Sequence, residues 1–505
     1  MSETRTKNSF KNIIFNNTYQ LLNIILNFVI RTIFIKSLGE SYLGLNGLFT
    51  NILSILSLAE MGISTAMLYS MYKPIANSDE KKLAALIGYY KILYTRIALV
   101  VLAVGLVILP LLPYIVNLEE DIGNIQVYYL LYLLNSVVSY LLLYKSSIAI
   151  ASQKEYLIKK YDIIFLLIKV ILQSIILIFF KNYIWYLIVQ VVTTILANVF
   201  KSRKAEKLFS FIKQKVELEV QEKKNIWNNI KSLLFYQVGN VVLNNTSNIV
   251  ISILLGTVVV GHYSNYSMII TAVSGFTALI FTSIQSSIGN YNVTGDSEGK
   301  YLIYKVLNFI AFVIYGFCSI SFIALFQDFI TLWIGENYLL DNNIVIVIVL
   351  NYYIAGILYP NWCYRYTTEL FNKAKYTIVI CSIINIVLAV ILGMAWGLIG
   401  VFAATAIARL TTTFWYEPYI LYKNIFKKKI IKYFLKQLAN IIILLIIILG
   451  LSFIFNFIKI ENVFLRLIVK ELICIITVLP IFFLLFRKTK EYIFLKEKLK
   501  ILLKK

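Results

Sequence analysis

The chain has 505 residues, is 60% hydrophobic and only 14% charged, and carries a formal net charge of +23. No soluble domain of this length has that balance, so lipid must act as solvent for most of the surface. The excess of Lys and Arg reads as a topology signal with an attraction to anionic headgroups, and no nucleic-acid partner is expected.

A bilayer core of roughly 30 Å takes roughly 20 apolar residues per helix. Runs of that length recur from Asn12 almost to the C-terminus. The first follows a short basic head (Arg5, Lys7, Lys11), is too long for a signal-peptide core and has no small-residue cleavage site behind it, so it is expected to stay as a span. Spans are predicted at 12–35, 43–70, 85–115, 125–150, 161–180, 183–200 and 231–255, then at 262–289, 302–326, 342–366, 376–395, 397–422, 434–456 and 464–486, fourteen in all. With the N-terminus inside, the cytoplasmic segments hold 33 of the 48 basic residues, whereas the external ones hold Lys36, Lys181 and Lys459. That asymmetry supports the topology, with both termini cytoplasmic.

On the first span Asn16, Gln20, Asn23, Asn27 and Arg31 recur at steps of three and four, which places them on one helix face. Such a stripe either joins helices through polar side chains or lines a water-filled cavity. The seventh span repeats it as Gln237, Asn240, Asn244 and Asn248. Sliding the chain by 217 positions brings Gln20, Asn23 and Asn27 onto Gln237, Asn240 and Asn244, and Leu38, Gly39 and Gly44 onto Leu255, Gly256 and Gly261. Lys160, Tyr161 and Ile163 match Lys375, Tyr376 and Ile378 at a shift of 215. Six spans separate the copies, so both run in the same direction and form a parallel repeat.

The expected fold is therefore all-α and polytopic, two six-helix bundles (1–200 and 231–422) joined by a basic cytoplasmic linker (201–230). Two further helices (423–486) and a basic tail (487–505) on the cytoplasmic leaflet complete it. Paired bundles of this kind commonly enclose the central cavity of an alternating-access transporter.

Ionisable groups inside spans usually face a cavity or a partner. The deepest are Arg31, Glu60, Arg96, Lys169 and Arg409, while Lys145, Lys231, Arg365 and Lys470 stand nearer span ends, where snorkelling suffices. Arg31 could itself snorkel, and Lys169 could meet Asp162 two turns away on the same face. A cavity with cationic balance would draw an anion, phosphate above all. Tyr89, Tyr90, Tyr128 and Tyr129 could stack on sugar rings, and fit interfacial aromatic belts better. Cys318, Cys363, Cys381 and Cys474 lie far apart within spans and support neither a metal site nor a disulfide framework, and the lone His262 fits an interfacial or packing role. Gly299 and Lys300 precede Tyr301 without a Walker A pattern, so no nucleotide cofactor is expected.

The segment 38–77, with its LG-x3-LG and AEMG elements, resembles the opening of the Wzx-type polysaccharide flippases of the multidrug, oligosaccharidyl-lipid and polysaccharide exporter superfamily. The resemblance extends over the whole chain. It implies movement of an undecaprenyl-diphosphate-linked oligosaccharide across the bacterial cytoplasmic membrane for capsule, O-antigen or exopolysaccharide assembly, beside polysaccharide polymerase and glycosyltransferase partners. In the similar lipid II flippases an Arg of the first helix precedes an Asp. Arg31 matches that Arg, and Thr32 stands where the acid would be. A drug and cation antiporter of the same superfamily is the alternative and would need deep carboxylates, for which Glu60 is the candidate. A membrane polymerase or glycosyltransferase would lean on the external acids Glu119, Glu120 and Asp121, which a solvated loop explains better.

Overall fold

Backbone inside lipid must satisfy its own hydrogen bonds, and this chain does so with helices alone: no strand occurs among the described residues. The computed structural model describes residues 2–503 apart from 119, 121 and 369. Side chains are described except at 2–7, 9–10, 58–62, 65, 119, 121, 229, 232–237, 282–283, 285–287, 290, 293–294, 366, 369, 371–373, 375 and 498–503.

The helices are α1 (Ser2–Leu38), α2 (Glu40–Leu56), α3 (Leu58–Ala76), α4 (Glu80–Ile108), the short α5 (Leu112–Ile115), α6 (Ile125–Leu141), α7 (Leu143–Ala151), α8 (Tyr156–Ile175), α9 (Tyr183–Leu208) and α10 (Val220–Leu255). They continue with α11 (Thr257–Thr294), α12 (Ser297–Ile334), α13 (Asn342–Ile357), α14 (Tyr359–Thr367), α15 (Phe371–Thr411), α16 (Thr413–Leu421), α17 (Ile431–Phe455), α18 (Val463–Phe486) and α19 (Lys490–Leu503). Among the described residues eleven stretches are long and apolar enough to cross a bilayer, or twelve if α6 and α7, bent by 47°, count as one span. Two places account for the difference from fourteen. The expected span 43–70 breaks at Ser57 into α2 and α3, and the expected spans 376–395 and 397–422 fall in one stretch, Tyr376–Phe426. That stretch is two helices joined across a kink at Gly397, whose φ of 59° and ψ of −138° are not helical, and the kink falls where the two expected spans meet.

The internal repeat is visible in the helix boundaries. α2, α4 and α6 begin at Glu40, Glu80 and Ile125, and α11, α12 and α13 begin at Thr257, Ser297 and Asn342, each 217 residues further on. Gly39 and Gly256 end α1 and α10 with φ of 86° and 94°, a region that favours glycine. Asp79 and Asp296 hold the matching N-cap positions of α4 and α12, and the Asp79 carboxylate accepts the Lys82 amide at 2.9 Å.

The chain forms two compact units, 1–261 and 262–505. Units and repeat copies do not coincide, because α10, which opens the second copy, packs on α2 and α3 of the first. The contact is close: a Cβ on Gly44 would run into the Thr257 backbone carbonyl, and one on Gly261 would stand 3.0 Å from the Gly44 amide nitrogen. The glycines of the two LG-x4-G elements therefore meet each other.

Aromatic rings fill the first unit. Tyr183 meets Tyr128 at 4.9 Å and Tyr42 at 5.1 Å between centroids, and Phe34 meets Tyr186 at 5.2 Å. Tyr90, Tyr128 and Tyr129 are buried here, and Tyr129 donates to the Gly105 carbonyl at 3.0 Å. The interfacial-belt expectation is thus corrected for these three. Each combines a large apolar face with a hydroxyl that finds a partner inside the protein.

In the second unit α12 is the hub, touching α13, α14, α17, α18 and α19. Phe312 packs on Phe482 at 5.1 Å, and Asp328 accepts from Arg466 and Lys470 at 2.8 and 2.6 Å, so α18 is fixed to α12 by both rings and charges. The tail helix α19 is anchored too, since Glu491 meets Lys436 at 3.0 Å and Lys305 at 3.8 Å. Burial by itself would raise the Glu491 carboxyl, but its own backbone amide and the two ammonium groups outweigh this and hold it below the ordinary value of 4.5. A depressed carboxylate stabilises docking above its free value, and that stabilisation is lost as pH falls through the docked value. Glu491→Gln is accordingly expected to free α19 at neutral pH, read as faster backbone amide exchange over 490–497 after correction for the intrinsic pH dependence, whereas wild type should lose that protection only in acid.

Candidate functional site

The polar stripe of α1 is set by its helical period, and packing decides what it faces. Ile25, 56% exposed, and its neighbours Ile14, Leu21 and Val29 take the outer face, whereas Gln20, Asn23, Asn27 and Arg31 are half-buried. The amides therefore do not occupy the most lipid-exposed side. α8 lies along α1 in the same direction: Asn12 donates to the Gln153 carbonyl at 3.1 Å and accepts from the Tyr156 amide at 2.8 Å, and Asn16 donates to Glu155 at 3.1 Å. One turn further, the Lys159 ammonium sits 4.1 Å above the Tyr19 ring.

From that shared level the helical rise carries Lys169 about 15 Å along α8 and Arg31 about 18 Å along α1, so the two cations arrive at nearly the same depth. Arg31 lies within electrostatic reach of the Tyr132 and Tyr186 hydroxyls. Tyr132 in turn donates to Asn46 and lies 3.2 Å from the Tyr183 hydroxyl. Lys169 is half-buried, and among the described residues it has no hydrogen bond or ion pair. The anticipated Asp162 contact does not form, because Asp162 takes Lys201 at 2.9 Å and Lys159 at 3.6 Å.

The other candidates are placed less closely. Arg96 stands on the exposed side of α4, within electrostatic reach of Tyr89. On α10, Asn240 is half-buried, and Asn244 is exposed with its amide donating back to the Asn240 carbonyl at 2.8 Å. Asn248 is 8% exposed and its Oδ1 has no hydrogen-bond partner among the described residues. Arg409, in the second unit, donates to the Asn351 carbonyl at 3.1 Å and lies beside Tyr263 and Cys381. Gln237, Glu60, Glu119 and Asp121 lie outside the residues whose side chains are described, and Glu120 accepts from Ser41 at 3.3 Å.

Sequence reasoning missed the buried ion pairs. Arg365, expected to snorkel, donates to Glu417, and the two are 2% and 6% exposed. Lys145 and Lys470 are likewise paired, with Glu206 at 2.5 Å and Asp328 at 2.6 Å, and Lys231 alone of that group is exposed, above the Trp227 ring. A pair removed from water is costly to break by halves. Glu417→Leu is expected to cost about 3–5 kcal/mol in stability, and Arg365→Met/Glu417→Leu to regain most of it. Thermal unfolding of the three proteins in one detergent checks the order.

Apolar spans, a repeat in the helix boundaries and cations within the spans define a polytopic membrane protein. The chain belongs to the polysaccharide biosynthesis protein family, whose model matches residues 9–284. No curated protein matches the sequence. Among solved structures, the lipid II flippase MurJ in an inward closed conformation shares 18% identity at a TM-score of 0.64, covering 93% of this chain and 99% of that one. An inward-facing multidrug resistance MATE family transporter of the MOP superfamily shares 14% at 0.65, over 81% and 98%. The Vibrio cholerae MATE transporter VcmN in its bent form shares 14% at 0.55, over 84% and 98%. At these identities the likeness is one of fold.

Proposed function

We propose that this protein is a flippase that carries an undecaprenyl-diphosphate-linked oligosaccharide from the cytoplasmic to the external leaflet of the bacterial cytoplasmic membrane, for surface polysaccharide synthesis. The observation that carries the reading is the half-buried Lys169 ammonium, without hydrogen bond or ion pair among the described residues, which the helical rise puts at about the depth of Arg31. Cations held in a low-dielectric site bind a diphosphate strongly by charge-assisted hydrogen bonds. In this reading Arg31 and Lys169 take the diphosphate, and Arg96 and Arg409 serve it at other stages of the passage. The amides Gln20, Asn23, Asn27, Gln237, Asn240, Asn244 and Asn248 offer both donors and acceptors to sugar hydroxyls, and Glu60 couples an ion. Both termini are cytoplasmic, and polymerase and glycosyltransferases are neighbours in the same assembly line. The family match and the fold shared with a lipid II flippase support this reading.

A deletion strain tests it. Loss of surface polysaccharide together with accumulation of lipid-linked repeat units, both restored by the wild-type chain, is the expected result. Normal surface polysaccharide with altered sensitivity to cationic drugs would instead favour the antiporter.

A further inference from the structure

The basic linker is folded against the first unit and builds a cavity there. Phe209, Phe211 and Leu218 are each at most 9% exposed and pin the linker down, and the Lys154 ammonium lies 5.4 Å above the Phe209 ring. A Cβ on Gly88 of α4 would stand 3.7 Å from the Val216 carbonyl, so linker and helix are in contact. Between them lies a cavity of about 680 Å³, open on one side, lined by α4, α7, the end of α9, the linker and the start of α10.

Its charge is uneven. Lys91, Lys145, Lys213, Lys215 and Lys223 face it, against Glu206 and Glu217. Glu206 is occupied by Lys145 at 2.5 Å and Lys213 at 3.9 Å. Lys91, Lys215 and Lys223 have no ion pair or side-chain hydrogen bond among the described residues. Three ammonium groups from three different elements thus converge on one opening. The walls are mixed, because Ile87, Ile92 and Ile212 line the same space, and Ile92 is 48% exposed. Lys91 and Ile92 lie on α4, one of the stretches long and apolar enough to cross a bilayer, so the cavity is built in part on a helix that meets lipid.

We propose that this cavity is a binding site for the phosphate headgroup of a resident anionic phospholipid, separate from Arg31 and Lys169 and independent of what the protein transports. Lysines near a membrane surface attract anionic lipid individually, and here three stand around one pocket, on α4, in the linker and at the start of α10. The headgroup phosphate lies among Lys91, Lys215 and Lys223, and the acyl chains leave past Ile92.

Purified full-length protein in mild detergent is titrated with short-chain phosphatidylglycerol, phosphatidylcholine, inorganic phosphate and undecaprenyl diphosphate, with binding read by native mass spectrometry. Phosphatidylglycerol should bind saturably, well ahead of phosphatidylcholine and inorganic phosphate, and Lys91→Gln/Lys215→Gln/Lys223→Gln should weaken it about 100-fold. The equally charge-depleted Lys427→Gln/Lys429→Gln/Lys432→Gln should bind like wild type. All three proteins should elute alike on size exclusion, which separates lost binding from lost fold. Equal binding by the two triple variants, or no preference over phosphatidylcholine, would overturn the site. Stronger binding of undecaprenyl diphosphate than of phosphatidylglycerol, abolished by the first variant only, would also overturn it and make the cavity an entry point for the transported lipid.

Discussion

Gly44→Ala is expected to lower stability by about 3 kcal/mol, because the new methyl group would overlap the Thr257 carbonyl and backbone cannot move aside as a side chain can. Gly261→Ala should cost less, since its Cβ would stand 3.0 Å from the Gly44 nitrogen and a shift of a few tenths of an ångström relieves it. Gly450→Ala meets nothing within 4 Å inside α17 and should be neutral or slightly stabilising, by up to about 1 kcal/mol of helix propensity. Thermal unfolding in one detergent should rank the proteins in that order. Close approach of helices through small residues is a recurrent means of association in lipid, where no hydrophobic drive operates between helices. If Gly44→Ala melts with Gly450→Ala, the contact between the two repeat copies is not a stabilising one.

The second large effect concerns Arg31 and Lys169. Arg31→Ala should weaken binding of a diphosphate lipid about 10–100-fold, the equivalent of one charge-assisted hydrogen bond of about 1.5–3 kcal/mol. Arg31→Lys keeps the charge and loses the planar fork, so it should fall between. Lys169→Gln should weaken binding comparably without loss of stability, because in the free protein it gives up no hydrogen bond or ion pair among the described residues. Titration of purified variants with undecaprenyl diphosphate measures all three. Unchanged affinity in Arg31→Ala and Lys169→Gln would remove both residues from the site.

Helical spans and the repeat were legible in the sequence because each is a periodic signal. A recurrence of three and four residues fixes the face of α1 whatever packs on it, and a constant offset of 217 survives into the helix starts at Thr257, Ser297 and Asn342. What was illegible depends on tertiary packing. Arg365 and Glu417 are 52 residues apart and Lys470 and Asp328 are 142 apart, and no local pattern marks one carboxylate as the partner of one cation. Tyrosines posed the same difficulty, since an amphipathic ring suits a membrane interface and a hydrogen-bonded core equally, and only the neighbours of Tyr129 decide. The breaks at Ser57 and Leu142 carry neither Pro nor Gly, the usual signals of a helix stop, so the second and fourth spans read as continuous. For the cations, sequence located Arg31 and Lys169 within spans, but their common depth follows from the contacts of Asn12, Asn16 and Tyr19 with α8.

Flipping in liposomes measures the transport of the charged lipid itself. Purified protein is reconstituted with a fluorescent undecaprenyl-diphosphate glycan, or with the same glycan on a neutral polyprenyl carrier, and arrival at the opposite leaflet is followed with an impermeant quencher. The diphosphate lipid should cross and the neutral one should not. An imposed potential should speed transfer toward the positive side, by up to about 2.3 kcal/mol per charge per 100 mV if the charge crosses the whole field. Equal transfer of charged and neutral lipids, insensitive to potential and unchanged by Arg31→Ala/Lys169→Gln, would contradict an anion held by these two residues.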